Sequence, residues 1–205
     1  MIAPGTLYII AAPSGAGKTS LIQQLVACTS AVEVSVSHTT RSPRPGEQTG
    51  VDYHFVDDKT FHSLVKQDLF LEHARVFDHY YGTGRLTVLE RLQAGVDVIL
   101  EIDWQGARQV RSLMPGTRSI FILPASLNSL RQRLINRGQD SDAVIDRRMR
   151  DAVREMSHYN EFEYLIINDK FQEALECLRT IFIANRQLRE AQMLRHKELL
   201  ESLLS

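Results

Sequence analysis

The residues most suited to chemistry in this chain form a glycine-rich segment near its N-terminus, Ala12 to Thr19. The segment matches the pattern of a phosphate-binding P-loop, Gly-x-x-x-x-Gly-Lys-[Ser/Thr], except that Ala12 replaces the first glycine. Gly15 and Gly17 allow the backbone to turn its N–H groups around an anion. Lys18 can reach terminal phosphates, and the hydroxyl of Thr19 can ligate Mg²⁺. The segment therefore predicts a site for phosphate groups.

The segments on either side of this loop are those that a P-loop requires. Leu7 to Ala11 is a short apolar run that predicts a buried strand. Downstream, Leu21, Ile22 and Leu25 repeat at helical spacing. Strand, loop and helix thus follow one another in the order that the motif needs.

Composition favours a single domain whose attraction for anions is local. The 205 residues suffice for one α/β core, and 24 Lys and Arg against 25 Asp and Glu give a net charge of -1. We therefore expect no nucleic-acid partner and no membrane partner, because bulk electrostatic attraction to either is missing. The N-terminal residues include no basic region and no long apolar run, which predicts a cytoplasmic protein.

The cysteines and histidines show no metal-ligand spacing. Cys28 and Cys177 are far apart in the sequence and are interpreted as free thiols. None of the seven histidines forms a His-x-x-x-His pair. We expect no structural metal.

Strand-like and helix-like segments alternate along the chain, which predicts an α/β fold with a mostly parallel sheet. After the first strand, apolar runs predict strands at Val96 to Ile102, Ser119 to Leu123 and Tyr164 to Asn168. Helices are predicted at Leu86 to Ala94, at Ser126 to Arg137, from Ser141 to about Asn160, and from Phe171 onward. Helices between successive strands are typical of a sheet covered on both faces.

The interval 37–84 breaks this alternation and is predicted to be an inserted subdomain. It is rich in turn residues and short alternating strands, with one helix near Lys59 to Gln67. Arg41 and Arg44 are three positions apart in a loop braced by prolines, and such a pair can bind one phosphate. The interval therefore offers groups for a second ligand.

Several segments of the chain, in order and spacing, resemble the guanylate kinase family. The first are Ser37-His38-Thr39-Thr40-Arg41, Pro43-Arg44-Pro45-Gly46-Glu47, Asp52-Tyr53, Phe70-Leu71-Glu72 and Tyr80-Tyr81-Gly82-Thr83. The others are Glu101-Ile102-Asp103-Trp104-Gln105-Gly106, Arg133 through Arg137-Gly138, Arg147-Arg148 and Ile167-Asn168-Asp169. The resemblance extends over essentially the whole chain.

This resemblance implies a P-loop kinase fold built as one domain. A parallel β-sheet core flanked by helices, at about 1–36 and 85–205, would carry an inserted mixed α/β GMP-binding subdomain at about 37–84 and a helical lid at about 126–157. The implied reaction is Mg²⁺-dependent transfer of the ATP γ-phosphoryl group to GMP, and to dGMP, giving ADP and GDP.

The resemblance also implies a role for individual residues. The ATP-binding residues would be Pro13, Ser14, Gly15, Ala16, Gly17, Lys18, Thr19 and Ser20, with Asn168 beside adenine and Thr19 as the Mg²⁺ ligand. The GMP-binding residues would be Ser37, Arg41, Arg44, Tyr53, Glu72, Tyr81, Thr83 and Asp103. The catalytic residues would be Lys18, Arg41, Arg133, Arg137 and Arg148.

Three of these arginines predict a lid. Arg133 and Arg137 are at positions i and i+4 of one helix, and Arg148 is on the next. The polar stretch 138–142 between them would let the arginines swing onto the transferring phosphoryl group and exclude water.

Glu72 is the predicted reader of the base, because an idle carboxylate in the apolar stretch Phe70 to Ala74 would lack a partner. Guanine has adjacent N1–H and N2–H₂ donors that a carboxylate can accept in parallel, whereas adenine has a bare N1 lone pair. The resemblance assigns Ser37 and Thr83 to the same guanine edge, where their hydroxyls can donate to O6.

Two positions after the strand at Val96 to Ile102 leave alternatives open. Asp103 is either part of the Mg²⁺ or acceptor network or a helix N-cap. Glu101 is found where the family usually has aspartate, which keeps the charge but lengthens the side chain.

Two other functions are weighed against the kinase. A catalytically inactive, partner-binding module would have a degraded P-loop, whereas Gly17, Lys18 and Thr19 are intact. A kinase for a phosphorylated sugar would have no need for a guanine-reading segment. The leucines of 199–204 at the C-terminus could serve a subunit contact in a homo-oligomer.

Overall fold

A computed structural model describes residues 3–76, 78–136 and 141–205 of the chain. The strands are β1 (Leu7–Ala11), β2 (Val32–Val34), β3 (His38–Thr39), β4 (His54–Phe55), β5 (Phe70–Val76), β6 (His79–Gly84), β7 (Asp97–Leu100), β8 (Arg118–Pro124) and β9 (Tyr164–Asn168). The helices are α1 (Lys18–Cys28), α2 (Asp58–Lys66), α3 (Arg85–Gln93), α4 (Trp104–Leu113), α5 (Leu127–Asn136), α6 (Asp142–Met156), α7 (Phe171–Arg186), α8 (Arg189–Arg195) and α9 (Lys197–Leu204).

The core is a five-stranded parallel sheet in the order β2-β7-β1-β8-β9. This confirms the predicted α/β class. Because all five strands run in one direction, their carboxyl ends meet at one edge, and β1 lies directly beside β7. The loop that follows β1 and the loop that follows β7 are therefore neighbours in space.

Side chains of β1 alternate between two apolar layers. Tyr8 and Ile10 point into a layer formed with α1, α7 and β9, where Tyr8 stacks on Phe182 with ring centroids 3.8 Å apart. Leu7 and Ile9 point into the opposite layer, formed with α3, α4 and β7. Helices on both faces explain why this strand is apolar at every position.

The interval predicted as an insertion forms a four-stranded mixed sheet in the order β4-β3-β6-β5. Strand β3 pairs parallel with β4 and antiparallel with β6, which pairs antiparallel with β5. Helix α2 covers this sheet through Phe61, which is fully buried and stacks near Phe70. The sheet joins the core where α4 packs against β5.

Two predicted boundaries were wrong, one by two residues and one by about four. Strand β7 spans Asp97–Leu100 instead of extending to Ile102, because its pairing with β1 ends at Leu100. Helix α6 ends at Met156, and a 3₁₀ turn occupies Tyr159–Glu161. The hydroxyl of Ser157 donates to the carbonyl of Arg154 at 2.7 Å, a local bond that competes with continuation of the helix.

Two elements have no counterpart among the predicted ones. Strand β2 has only three residues and is visible only through its pairing with β7. Helix α4 buries Gly106, Ala107 and Val110. Strand β2 is too short to be recognised before the fold is known, whereas Trp104, Ala107, Val110 and Leu113 repeat at helical spacing and could have indicated α4.

The predicted lid lies at α5 and α6. Ser126 and Ser129 form reciprocal hydrogen bonds at the start of α5, with the Ser126 Oγ accepting from the Ser129 N–H at 3.0 Å. Arg137, predicted to act in the lid, and the adjoining positions 138–140 lie outside the described residues.

The C-terminal helices and the cysteines are exposed. Leu199, Leu203 and Leu204 of α9 are 54%, 69% and 89% exposed, and a subunit contact through them stays a prediction. Both cysteines are free, as predicted. Across the described residues, the helices are too short or too polar for a bilayer-spanning segment.

A buried carboxylate forms hydrogen bonds between several elements at the end of the sheet opposite the P-loop. Asp97, at the start of β7, is 4% exposed. It accepts hydrogen bonds from the Thr6 N–H at 2.7 Å and from Arg186 Nε at 2.8 Å. Arg186 also donates to the carbonyls of Ser30 and Ala31. One carboxylate thus joins the N-terminus, β7 and α7.

Replacing this carboxylate should cost much of the stability of the fold. Asp97→Ala is expected to lower the free energy of unfolding by about 3 kcal/mol, because it leaves the partly buried Arg186 guanidinium and Thr6 N–H without their shared carboxylate. Urea denaturation followed by circular dichroism measures the change. The matched control is Glu33→Ala, which breaks the exposed Glu33–Arg91 pair and should leave stability almost unchanged. Equal effects of the two substitutions would contradict the role given to Asp97.

Candidate active site

A cavity of about 330 Å³ opens between the carboxyl edge of the parallel sheet and the mixed sheet. Its lining combines the loop after β1, the loop after β7, the mixed sheet and α6. The lining residues are Ala12, Pro13, Ser14, Gly15, Gly17, Lys18, Thr19, Ser20, Ser37, Tyr53, Glu72, Ala74, Val76, Tyr81, Glu101, Ile102, Asp103 and Glu155. Most of the residues predicted to bind two nucleotides are therefore brought to one space.

The loop between β1 and α1 has the geometry of an anion-binding cradle. Gly15 and Gly17 both have φ of +92°, a conformation that favours glycine. Gly17 is the N-cap of α1, and no side chain caps the first N–H groups of that helix. These N–H groups and the positive end of the helix dipole favour phosphate at this position.

Asn168 and Arg133 support this loop from behind. Asn168 Nδ2 donates to the carbonyl of Ala16 at 2.7 Å, and Arg133 Nη1 donates to the same carbonyl at 3.1 Å. Arg133 Nη2 donates to the carbonyl of Asn168 at 2.9 Å. A methyl group at position 17 would lie 2.5 Å from Asn168 Nδ2, so the glycine is also required by this packing. Neither supporting side chain lines the cavity.

The acidic residues after β7 face the P-loop. Glu101 Oε2 lies 3.6 Å from Lys18 Nζ. Asp103 is the N-cap of α4, and its Oδ1 accepts from the N–H groups of Gln105 and Gly106, each at 3.0 Å. Asp103 also lines the cavity. The two alternatives for Asp103 are therefore compatible, since one carboxylate caps the helix and faces the ligand space.

Glu155 is a cavity residue that sequence reasoning missed. It lies on α6 and lines the cavity, where the Ser14 backbone and the Lys18 charge favour the ionised form of its carboxyl group. Burial raises the pKa of Glu155 to about 7, and the Asp103 and Asp151 charges add to the rise. Its position seven residues after Arg148 places both on one helix face, which is the signal that could have identified it.

The segment that follows α6 packs against α4 beside this site. Trp104, the first residue of α4, stacks on His158 with ring centroids 3.8 Å apart. Glu161 accepts from Arg108 Nε at 2.7 Å and lies 2.7 Å from His158 Nδ1. The Arg108 guanidinium lowers the pKa of Glu161 to about 2. The C-terminal end of α6 is thus held against the helix that Asp103 caps.

Glu72 is the buried acceptor on the mixed-sheet side of the cavity. It is 3% exposed, and its Oε1 accepts a hydrogen bond from Thr83 Oγ1 at 2.6 Å. Thr83 is fully buried and lies behind Glu72, outside the cavity lining, while the Ser37 hydroxyl lies 3.4 Å from Thr83 Oγ1. In this arrangement the Thr83 proton is directed to the carboxylate, which leaves Ser37 as the exposed hydroxyl.

The ionisation of Glu72 is shifted by its surroundings. Burial raises the pKa of its carboxyl group from 4.5 to about 7, and the nearby Asp103 charge adds to this rise. The Thr83 hydroxyl and backbone act in the opposite direction. A ligand that supplies further N–H donors would stabilise the ionised form.

The predicted acceptor-phosphate groups form an aromatic and cationic corner. Arg41 donates to Glu47 Oε1 at 2.9 Å and to the carbonyl of Ser42 at 2.7 Å. Its guanidinium also lies 5.3 Å from the centre of the Tyr53 ring. Glu47, missed by sequence reasoning as a site residue, therefore holds Arg41 in place.

Arg41 is outside the cavity lining, as are Arg44 and Arg148. The Arg44 N–H donates to Glu47 Oε2 at 2.7 Å, and Arg44 is exposed. Arg148 is half-buried on α6 and contacts a neighbouring residue. Arg137 falls outside the described residues.

The donor set at the cavity suits a hard cation held together with a ligand. Thr19 contributes a hydroxyl, and Glu101 and Asp103 contribute carboxylates to the lining. Among the described residues, no three His, Cys, Asp or Glu side chains converge on one point as in an all-protein metal site. Such a donor set fits Mg²⁺ that is coordinated largely by phosphate oxygens and water.

Sequence and structure comparisons agree on the family of this chain. The family model described as guanylate kinase matches residues 4–185. A guanylate kinase from Saccharophagus degradans is 57% identical over 205 residues, which is 100% of both chains. The chain belongs to the guanylate kinase family. A second relative, the guanylate kinase from Alkalilimnicola ehrlichii, is 61% identical over 92% of this chain and 93% of its own length.

A solved structure confirms the P-loop kinase fold. The guanylate kinase from Anaplasma phagocytophilum superimposes with a TM-score of 0.78 at 31% identity, covering 98% of this chain and 95% of that one. The guanylate kinase resemblance inferred from the sequence motifs is thus confirmed over the full length of the chain.

The two functions of Asp103 can be separated by substitution. Asp103→Asn keeps a side-chain oxygen for the N–H groups at the start of α4, whereas Asp103→Ala removes it. We expect Asp103→Ala to be about 1 kcal/mol less stable than Asp103→Asn. Both variants should transfer phosphoryl groups at least about tenfold more slowly than the parent, because both lose the charge that faces the cavity. Thermal unfolding and steady-state rates measure the two effects. An Asp103→Asn variant with the parent rate would reduce Asp103 to a helix cap.

Proposed function

We propose that this chain transfers the γ-phosphoryl group of ATP to GMP, giving ADP and GDP, and that dGMP is a second acceptor. One observation carries the proposal: a buried carboxylate, Glu72, faces the same cavity as a complete P-loop. The P-loop provides for a phosphate donor, and the carboxylate provides for a base with adjacent N–H donors. Family membership independently makes the chain an ATP:GMP phosphotransferase.

The donor phosphates would lie against the loop after β1. The backbone N–H groups of residues 14–19 would bind the phosphate oxygens, and Lys18 would neutralise the terminal phosphate. Lys18 would then exchange part of its contact with Glu101 for the phosphate. Glu155 lines the cavity together with Ser14, so we expect its carboxylate to move away when the phosphates of ATP bind.

The acceptor phosphate would lie at the corner formed by Arg41, Tyr53 and Tyr81. The Arg41 guanidinium is oriented by Glu47, and Tyr81 lies nearby. Arg41, and Arg44 on the same loop, would turn their side chains inward to share the phosphate. Tyr53 and Tyr81 line one cavity with the P-loop, which would align the acceptor oxygen with the γ-phosphorus.

The guanine base would lie against Glu72 and Ser37. Ionised Glu72 would accept from N1–H and from the exocyclic N2–H₂. Ser37 would donate to O6, and Thr83 would act by orienting the carboxylate. dGMP differs from GMP only at the 2′-hydroxyl, which none of these groups is expected to contact.

When bound with ATP, Mg²⁺ would neutralise charge on the β- and γ-phosphates. Thr19 would hold it, with Glu101 and Asp103 accepting from its water ligands. No general base is needed, because the acceptor phosphate carries a nucleophilic oxygen at neutral pH. The protein's work is therefore alignment and charge neutralisation.

Arg133, Arg137 and Arg148 are proposed as the lid cations. Arg133 donates to the carbonyls of Ala16 and Asn168, which keeps its guanidinium at the edge of the P-loop. Lid closure would bring these charges toward the transferring group and exclude water. Asn168, which donates to the Ala16 carbonyl of the P-loop, would lie beside the adenine base.

A direct assay tests the proposed function. ATP and Mg²⁺ are incubated with GMP, dGMP, AMP, CMP or UMP, or with no acceptor, and ADP release is followed by a coupled reaction. We expect rapid release with GMP and dGMP and at least about a hundredfold slower release with the others. A protein that binds GMP but releases no ADP would indicate a binding module, and equal rates with all nucleotides would contradict base reading by Glu72.

Replacing Glu72 by Gln should weaken base discrimination in a pH-dependent way. At pH 8 we expect kcat/KM for GMP to fall, because one hydrogen-bond acceptor becomes a donor. The fall should correspond to a loss of about 2 to 4 kcal/mol of transition-state stabilisation. The advantage of GMP over AMP should shrink accordingly. In the parent, KM for GMP should decrease about tenfold from pH 6 to pH 8, since only the ionised carboxylate binds guanine and its pKa is about 7.

The same variant supplies the control for this pH dependence. The phosphate of GMP also ionises in this range, but it does so equally for both proteins. The ratio of KM for GMP in the parent to KM for GMP in Glu72→Gln therefore reports only the ionisation of the carboxyl group at position 72. A ratio that does not change between pH 6 and pH 8, or a folded variant with the parent GMP to AMP preference, would place guanine recognition elsewhere.

A further inference from the structure

A glycine of the parallel core lies directly behind the carboxylate of Glu72. A methyl group at Gly106, in the first turn of α4, would lie 2.6 Å from Glu72 Oε2 and 3.2 Å from its Cδ. Ile102 Cβ is 3.3 Å from the same point. Atoms in a packed interior do not approach this closely, so any side chain at 106 must displace the carboxylate.

Glu72 has little freedom to move away without losing its geometry. Its other oxygen, Oε1, accepts from Thr83 Oγ1 at 2.6 Å, and the residue is 3% exposed. The carboxylate is thus confined between the Thr83 hydroxyl on one side and the backbone of Gly106 on the other. Its remaining direction of movement leads into the cavity, where the base would lie.

The strand that carries Glu72 is held on α4 by a second contact. Gln109, one turn after Gly106, accepts from the His73 N–H at 3.1 Å and donates to the His73 carbonyl at 2.8 Å. This pair of bonds fixes the position of β5 along the helix. A clash at 106 therefore cannot be relieved by sliding the strand, and the side chain of Glu72 must absorb it.

We propose that Gly106 is a specificity-positioning residue, which sets the distance between the Glu72 carboxylate and the guanine edge by leaving the space that the carboxylate needs. The inference rests on the proposed function, since it concerns how the same carboxylate reads the base. It also gives α4 a role in recognition, although no side chain of this helix touches the base.

The expected effect differs between GMP and IMP. Guanine presents N1–H and N2–H₂ side by side, so both must meet the carboxylate in register. Hypoxanthine keeps N1–H and O6 but lacks the N2 amine. A carboxylate displaced toward the base should therefore lose more with GMP than with IMP, and the preference between them measures its position.

The experiment compares Gly106→Ala with the parent enzyme. We expect kcat/KM for GMP to fall at least about tenfold, mainly through KM for GMP, and the GMP to IMP preference to fall about as much. KM for ATP should change less than about twofold, because the P-loop does not contact position 106. Alanine is the better helix former, so folding should be retained. Leu113→Ala, which shortens an exposed side chain at the end of the same helix, is the matched control and should leave both substrates unaffected.

A second background tests whether the effect acts through Glu72. In Glu72→Ala the carboxylate that would contact a side chain at position 106 is absent. Adding Gly106→Ala to this variant should therefore change kcat/KM for GMP and for IMP by less than about twofold. Equal losses in both backgrounds, or a Gly106→Ala enzyme with the parent GMP to IMP preference, would overturn the inference. If the single variant does not fold, the double variant should, and a double variant that also fails to fold would overturn the proposed contact.

The same series separates this inference from the function on which it rests. If the parent enzyme phosphorylates GMP and Gly106→Ala keeps the parent GMP to IMP preference, only the role proposed for Gly106 is contradicted. A parent enzyme that does not phosphorylate GMP counts against both.

Discussion

The parallel pairing of β1 with β7 is the constraint on which the candidate site depends. Both strands are completely buried, and their pairing from Leu7 with Val98 to Ile9 with Leu100 brings their carboxyl ends to one edge. The P-loop follows one strand, and Glu101 and Asp103 follow the other. The chain leaves each of these buried parallel strands by a loop at this edge. The phosphate cradle and the acidic residues therefore become neighbours in space, although the two loops are far apart in the sequence.

Helix α4 links this edge to the mixed sheet. Its first turn is capped by Asp103 and lies against Glu72 at Gly106, and Gln109 binds the backbone of β5. One helix thus connects the phosphate side of the cavity with the predicted base side. The same helix carries Trp104, whose stack on His158 holds the end of α6 nearby. The spacing between the P-loop and Glu72 is therefore set by a short helix rather than by loops.

Two of the candidate binding groups have internal partners that a nucleotide would replace. Lys18 lies near Glu101, and Arg41 donates to Glu47. Each pair orients a charged group in a partly buried site. Substrate binding would then be an exchange of partners at these groups. Glu72 and Glu155 differ from them, because burial raises the pKa of both carboxyl groups to about 7.

Local patterns in the sequence determined the P-loop, four of the core strands, the existence of the insertion and the family, because these depend on residue types at short, regular spacing. The short strand β2 was decided by tertiary structure, since it is stabilised by its pairing with β7 and not by its own periodicity. Helix α4 has apolar residues at helical spacing, but only the fold decided that it packs against β5. The same holds for the site: Arg41, Glu72 and Lys18 could be recognised individually, whereas Glu47, Gly106 and Glu155 acquire a role only through neighbours in space. A glycine has no chemistry to recognise in a sequence, and only the packing of β5 on α4 reveals that the space it leaves is occupied by the carboxylate of Glu72.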